Sequence, residues 1–188
     1  MKKLLILSML FLFAFVAYQS FLFIKGDPDS AEQVEYEVVN AENLPTELHP
    51  ILADKVESLK EKTAEKDITI LITDDYRSFE EQEKLYDKGR KTSGKVVTYT
   101  EGGESYHNYG LAVDFALQLE NGNVIWDTEY DGNRNGKSDW FEVADIAKDL
   151  GFQWGGDWRG FKDYPHLQMD FGLTINDLQG GKYLKYPS

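Results

Sequence analysis

Two histidines and one aspartate in the second half of the chain have side chains that could bind a metal ion. His107 and Asp114 belong to one stretch, Ser-Tyr-His-Asn-Tyr-Gly-Leu-Ala-Val-Asp, and His166 ends another, Asp-Tyr-Pro-His. Two imidazoles and one carboxylate are a ligand set of catalytic zinc, which keeps a fourth position for water. The chain contains no cysteine, so any metal must be bound by nitrogen and oxygen.

The spacing of these residues is a weak signal on its own. The chain has 33 acidic side chains, so an aspartate near a histidine is expected by chance. A single histidine is also commonly a polar group of the core or surface. From spacing alone, a zinc site and ordinary polar residues both remain open interpretations.

A second stretch, residues 131–142, has the spacing of a calcium-binding loop. Its sequence is Asp-Gly-Asn-Arg-Asn-Gly-Lys-Ser-Asp-Trp-Phe-Glu, with oxygen-bearing side chains at the ligand positions and glycine at the sharp turn. One hypothesis is a structural calcium ion; the alternative is a turn whose side chains cap their own backbone. The ligands in the calcium hypothesis are Asp131, Asn133, Asn135, Lys137 through its carbonyl, Asp139 and Glu142.

The elements that position these residues follow from periodicity and capping signals. Alternation over 110–119 predicts a strand with Asp114 on the face opposite its large apolar residues. Asn121-Gly122 predicts a hairpin, and Ser78 with Glu81 predicts a capping box at a helix start. The other predicted elements are helices from Pro50 to near Glu65 and over 140–150, and strands over 68–73, 124–126 and 165–171. This mixed order predicts an α+β domain with a small antiparallel sheet and flanking helices.

Composition and charge indicate the compartment of the domain and argue against one class of partner. Lysines followed by an apolar run over 4–24 predict an uncleaved signal anchor, with a cleaved signal peptide as the alternative, and place the rest outside the membrane. We expect an acidic linker over 25–43, one domain over 44–171 and a C-terminal tail over 172–188. A net charge of −13 argues against nucleic acid as a partner. We expect a monomer.

Several motifs together resemble a known family. They are S-x-H-x-x-G-x-A-x-D at 105–114, D-x-x-H at 163–166, Y-R-S-x-x-E-Q at 76–82 and W-G-G at 154–156. This pattern resembles the VanY-type D-alanyl-D-alanine carboxypeptidases and the related L-alanyl-D-glutamate endopeptidases, the cell-wall branch of the latter most closely. The resemblance implies the small α+β fold shared with the hedgehog signalling domain. It also implies zinc bound by His107, Asp114 and His166.

The resemblance implies roles for further residues. Asp163 takes the place of the general base, where many relatives carry glutamate, and Arg77 would stabilise the tetrahedral intermediate. An ion pair of Arg77 with Asp74 or Asp75 is the alternative for that residue. Substrate contacts are assigned to Ser105, Gln82 and Trp154, although Gln82 could equally be an exposed helix residue.

The implied function is zinc-dependent hydrolysis of peptidoglycan stem peptides outside the cytoplasm of a bacterium. The implied scissile bond is the one between L-alanine and D-glutamate. Two alternatives are carboxypeptidase action at D-alanyl-D-alanine and a zinc-binding cell-wall module without activity.

Overall fold

The computed structural model describes residues 35–39 and 44–185. The chain divides into two compact units, Met1–Glu35 and Tyr36–Ser188, and the fold below is that of the second. Across the described ranges, no helix has the length and apolar character needed to cross a membrane. The expected anchor or signal peptide over 1–24 lies outside these residues.

A five-stranded antiparallel sheet forms the centre of the domain, with β3 as its longest strand. Strand β2 pairs with β3, β6 pairs with residues 112–114 of β3, β4 pairs with residues 117–118, and β5 pairs with β6. The strands are β2 (Ile70–Asp74), β3 (Ala112–Gln118), β4 (Val124–Ile125), β5 (Gln153–Trp154) and β6 (His166–Gln168). The predicted α+β class with a small antiparallel sheet is confirmed.

Within residues 44–185, four helices accompany the sheet: α1 (Pro50–Ala64), α2 (Phe79–Asp87), α3 (Asp139–Asp149) and α4 (Ile175–Gln179). Helix α1 begins at Pro50 as predicted, because the missing N–H of proline is not needed in a first helical turn. Helix α2 has the predicted capping box, in which Ser78 and Glu81 satisfy each other's backbone N–H groups.

The main core depends on the alternation of β3. Val113, Phe115 and Leu117 are almost completely buried, and Phe115 lies 4.8 Å from the ring of Trp140 in α3. Side chains on a strand alternate between its faces, so Asp114 points away from these three residues. The strand therefore supplies core on one face and a carboxylate on the other.

Two further strands lie in segments that we expected to be outside the domain. Strand β1 (Tyr36–Val38) falls in the expected linker, and β7 (Lys182–Leu184) falls in the expected tail; the two pair antiparallel. Strand β7 also brings Tyr183 into a second apolar cluster, which contains Tyr109, Leu111, Leu173, Leu178 and Tyr183. The folded region thus extends on both sides of 44–171, and three-residue strands with distant partners leave little periodic signal.

The strand predicted over 165–171 is shorter in the structure, and this prediction is corrected. Strand β6 ends at Gln168. Asp170 then starts a turn: its carbonyl accepts from Leu173 and its carboxylate accepts from Gly172, while Phe171 has a positive φ of 49°. These local hydrogen bonds replace strand pairing.

We predict that Tyr183 stabilises the domain although it lies in the expected tail. Its side chain is 1% exposed and its hydroxyl donates to the carbonyl of Tyr109. Tyr183→Ala should lower the free energy of unfolding by about 3–5 kcal/mol, as for other large aromatic truncations in cores. Urea unfolding followed by circular dichroism measures this. Val38→Ala, at an 81% exposed position of β1, is the control and should change stability by less than about 0.5 kcal/mol. Equal effects of the two substitutions would contradict the prediction.

Candidate metal centre

Strand pairing and one tight turn bring the three predicted ligands together. Asp114 and His166 are directly opposite each other in the antiparallel pairing of β3 with β6. His107 comes from a short 3-10 turn, Tyr106–Tyr109, which ends at Gly110. That glycine has a φ of 64°, and a Cβ there would lie 2.2 Å from the carbonyl oxygen of Glu47. Only glycine fits at this position, because any side chain would displace the turn that carries His107.

The three side chains converge to metal-binding distances. Asp114 Oδ1 lies 3.4 Å from His107 Nε2 and 3.4 Å from His166 Nδ1. The two imidazole nitrogens are 3.2 Å apart. In the part of the chain that the structure describes, this is the one group of three or more His, Asp or Glu side chains close enough to share an ion.

The hydrogen bonds around the centre favour the tautomers in which its three facing atoms carry lone pairs. His107 Nδ1 lies 2.7 Å from the carbonyl oxygen of Asp75, which can only accept, so Nδ1 carries the proton of the neutral ring and Nε2 does not. His166 Nε2 lies 2.9 Å from Gln168 Oε1, which leaves Nδ1 of that ring as the acceptor. Asp114 Oδ1 is buried and has no hydrogen-bond donor. Such a set repels itself unless a cation lies within it, so these residues fit a zinc ion.

The charge state of Asp114 agrees with this arrangement. Burial by itself would raise the pKa of Asp114, but a ring proton of His107 or His166 turned towards the carboxylate outweighs burial through its hydrogen bond and charge, and lowers the pKa far below its usual range. A metal cation at the same place acts on the pKa in the same direction. The group is therefore a carboxylate at neutral pH, which is the form that binds a metal.

Asp163 lies beside the three ligands in the same cavity, whose volume is about 860 Å³. Burial raises the pKa of Asp163, and repulsion from Asp114 raises it further, while His166, His107 and Arg77 act in the opposite direction. Its backbone is fixed by two hydrogen bonds: its N–H donates to the carbonyl of Gly155, and its carbonyl accepts from His166. A half-buried carboxylate with a raised pKa is better suited than a free one to take up a proton and release it again.

Arg77 also lines this cavity, at the end of β2 and before α2. It forms a short ion pair with Asp74, as our alternative for this residue expected, and donates to Gln82 Oε1 at 2.6 Å. Its side chain is only 13% exposed. The ion pair holds the guanidinium in place and leaves it facing the cavity.

The three residues with expected substrate contacts have different environments. Ser105 lines the cavity and also accepts from the backbone N–H of His107 at the start of its turn. Gln82 is neither exposed nor in the cavity wall: it is fully buried and donates to the carbonyl of Thr100. Trp154 is 4% exposed, belongs to the core and donates to the carbonyl of Tyr164. The expectations for Gln82 and Trp154 are therefore corrected.

Three aromatic residues form further walls of the cavity, and sequence reasoning missed two of them, Tyr99 and Phe161. Trp158 lies with its ring centroid 5.1 Å from that of His166. Tyr99 and Phe161 are 74% and 55% exposed, respectively, and their rings meet at 6.4 Å. The sequence offers only the presence of aromatic residues in polar loops as a signal, and it cannot show that two loops meet.

Side chains of the loop over 131–142 accept hydrogen bonds from the loop's own backbone, as the alternative to the calcium hypothesis expected. The carboxylate of Asp131 accepts from the N–H groups of Asn135 and Gly136, and Asp139 accepts from that of Gly132. Glu142 accepts from the side-chain amide of Asn135. Across the described residues, the loop's carboxylates do not gather as closely as the His-Asp-His group does.

An antiparallel α+β scaffold with two histidines, an aspartate and a nearby acid in one cavity defines a class of metallopeptidase. A family model described as D-alanyl-D-alanine carboxypeptidase matches residues 98–169, and a curated relative is 61% identical over 126 residues. The chain belongs to this family of zinc peptidases of bacterial peptidoglycan. That relative is the peptidoglycan L-alanyl-D-glutamate endopeptidase CwlK of Bacillus subtilis, and the match covers 67% of this chain and 75% of that protein.

Two further comparisons find similarity at lower identity. An L-alanyl-D-glutamate peptidase of a Listeria phage is 34% identical over 104 residues, covering 55% of this chain and 31% of that protein. Among solved structures, a vancomycin resistance D,D-dipeptidase, VanXYg, in complex with a D-Ala-D-Ala phosphinate analogue is 20% identical with a TM-score of 0.50. The alignment covers 80% of this chain and 73% of that one, and it shows similarity of fold.

We predict that Gly155 is required for the geometry of the centre. A Cβ at this position would lie 2.4 Å from the carbonyl oxygen of Asp163 and 3.1 Å from Cβ of His166. Gly155→Ala should therefore displace both residues and lower kcat/KM at least about tenfold, since misplacement by an ångström costs up to a hundredfold. The control is Gly180→Ala, where the nearest atom, the carbonyl oxygen of Asn176, is 3.2 Å away. Wild-type kcat/KM in Gly155→Ala would disprove this prediction.

Proposed function

We propose that the protein is a zinc-dependent endopeptidase that hydrolyses the bond between L-alanine and D-glutamate in peptidoglycan stem peptides. The observation that carries the proposal is the set of three lone pairs, on His107, Asp114 and His166, that face one another beside Asp163. The identity of 61% with a relative named as an L-alanyl-D-glutamate endopeptidase supports the choice of bond.

The same proposal assigns the metal and its chemistry. His107, Asp114 and His166 would hold the ion through Nε2, Oδ1 and Nδ1, respectively, because these atoms face one another. Zinc bound there supplies a Lewis acid that polarises a carbonyl and lowers the pKa of water towards about 7.

Asp163 is the proposed general base. Its carboxylate lies in the cavity beside the ligands, and its raised pKa suits a group that takes a proton from water and returns it to the leaving amine. Arg77 is the proposed electrostatic partner of the carbonyl oxygen, where negative charge develops during attack. Its bonds to Asp74 and Gln82 fix the guanidinium before substrate arrives.

This arrangement favours an enzyme over a binding module without activity. A module of that kind needs the three ligands but has no use for a half-buried acid beside them, whose burial raises its pKa and costs free energy. We propose that the enzyme acts outside the cytoplasm, at the cell wall, as a monomer attached through its N-terminal segment or released from it.

Digestion of purified stem peptides tests this function. We expect new termini at D-glutamate, identified by mass spectrometry, and no release of free D-alanine. Release of D-alanine alone would instead identify a D-alanyl-D-alanine carboxypeptidase. Intact peptides with zinc-loaded protein would contradict both activities.

Two substitutions separate metal binding from proton transfer. Asp163→Asn should retain stoichiometric zinc and lose activity by a factor of about 10²–10⁴, the usual contribution of a general base. His166→Ala should lose both zinc and activity, because two ligands cannot hold the ion. Zinc content by atomic emission and turnover measured on the same preparations give the comparison. Wild-type turnover in Asp163→Asn would show that another group is the base.

For the loop over 131–142, we propose a structural calcium ion as a second, separate role. The supporting observation is Asp139, which is 3% exposed and has one carboxylate oxygen without a hydrogen bond. Burial and repulsion from Asp131 and Glu142 raise the pKa of Asp139, so a divalent cation would relieve an unfavourable charge arrangement.

Calcium should therefore raise the melting temperature of the chelator-treated protein. At a concentration 100 times the dissociation constant, a bound ion contributes about 2.7 kcal/mol. Asp139→Asn should reduce the calcium response, while its amide oxygen can still accept from the N–H of Gly132. Differential scanning calorimetry with calcium and with magnesium gives the measurement. An unchanged melting temperature at millimolar calcium would leave the loop as a self-capping turn.

A further inference from the structure

A row of three hydrogen bonds connects His166 to a carboxylate outside the metal centre. His166 Nε2 lies 2.9 Å from Gln168 Oε1, and Gln168 Nε2 donates to Gln153 Oε1 at 3.2 Å. Gln153 Nε2 then donates to Asp170 Oδ2 at 2.5 Å. Gln153 and Gln168 are opposite each other in the antiparallel pairing of β5 with β6, so the sheet itself aligns the two amides.

The final carboxylate gives the row a single direction. An ionised aspartate can only accept, so Gln153 must turn its amide nitrogen towards Asp170 and its oxygen towards Gln168. Gln168 must then present its own nitrogen to Gln153 and its oxygen to His166. The ring nitrogen that meets this oxygen must carry the proton. The lone pair of His166 is thereby confined to Nδ1, the atom that faces Asp114.

The other histidine of the centre achieves the same result more simply. His107 Nδ1 lies 2.7 Å from the backbone carbonyl oxygen of Asp75. That oxygen can only accept a hydrogen bond and cannot be replaced by a donor through rotation. A glutamine amide can do so by rotating through 180°, which would offer an N–H to His166 and move the ring proton to Nδ1. The carboxylate at the end of the row prevents this rotation.

We propose that Gln168, Gln153 and Asp170 form a positioning relay that holds His166 in the tautomer with a free lone pair on Nδ1. The inference rests on the proposed metal site and adds to it three residues that do not touch the ion. In such a relay, Gln168 orients the ring and Asp170 orients Gln168 through Gln153. Groups that orient a metal ligand from behind typically change metal affinity by 10- to 100-fold.

The test combines three variants with one matched control. Gln168→Met keeps the length of the side chain and removes both hydrogen bonds. Gln168→Glu restores an acceptor for the ring N–H. Asp170→Asn keeps the shape of the surface carboxylate but removes the direction it imposes. Gln118→Met, at the other end of β3, makes the same substitution away from the relay.

The first measurement is zinc affinity, obtained by competition with a fluorescent chelator. We expect Gln168→Met to weaken binding by about 10- to 100-fold. Gln168→Glu should recover most of this loss, Asp170→Asn should show a smaller weakening, and Gln118→Met should match the wild type. Thermal melts of the metal-free variants identify any loss that comes from unfolding.

The second measurement is the tautomer of His166 in the metal-free protein, read from the ¹⁵N shifts of its ring by NMR. The wild type should show a proton on Nε2, whereas Asp170→Asn should show a mixture of tautomers with the fold intact. A merely structural role of the relay would not change this ratio. If the wild-type protein binds no zinc, the proposed function fails. If it binds zinc, and neither zinc affinity nor the tautomer of His166 changes in Gln168→Met or Asp170→Asn, only the relay is overturned.

Discussion

The central constraint on this domain is that three unprotonated metal-ligand atoms lie close together in a largely buried site. Without a cation, the lone pairs of His107, Asp114 and His166 repel one another, and the rest of the fold must hold them together. The pairing of β3 with β6 fixes two of them in register, and the turn closed by Gly110 brings the third. A sheet suits this task because its register positions side chains without relying on mobile loops.

The acid and the arginine follow from the same architecture. Gly155 allows the segment of Asp163 to lie against β5 and β6, so the carboxylate reaches the cavity from the end of the sheet. Arg77 enters at the end of β2 and is held by Asp74 on one side and by buried Gln82 on the other. Its charge opposes the mutual repulsion of the two aspartates at the centre. The contacts that position Arg77 therefore also place the positive charge that offsets repulsion between the two aspartates.

The sequence predicts those parts of the fold that local patterns determine. Alternation predicted β3 and the outward direction of Asp114, and capping signals predicted the start of α2. The pairing of β1 with β7 was not predicted, because each strand has three residues and its partner lies far away in the chain. The burial of Gln82 was missed for a similar reason. A polar residue on a helix is expected to face solvent unless a distant segment supplies its hydrogen bonds, as Thr100 does here.

The cavity combines a rigid sheet with walls made of loops, and this division explains which parts of the site the sequence could indicate. Ligands on strands have neighbours that follow from period and register, so residue type and alternation are informative. Tyr99 and Phe161 meet only because two separate loops fold over the same cavity, and no local pattern encodes that meeting. Loops also tolerate substitution more readily than paired strands. Substitutions in the loops should therefore leave the metal site unchanged, because the sheet holds it. The choice of scissile bond depends on the loop walls, which can change without disturbing the sheet.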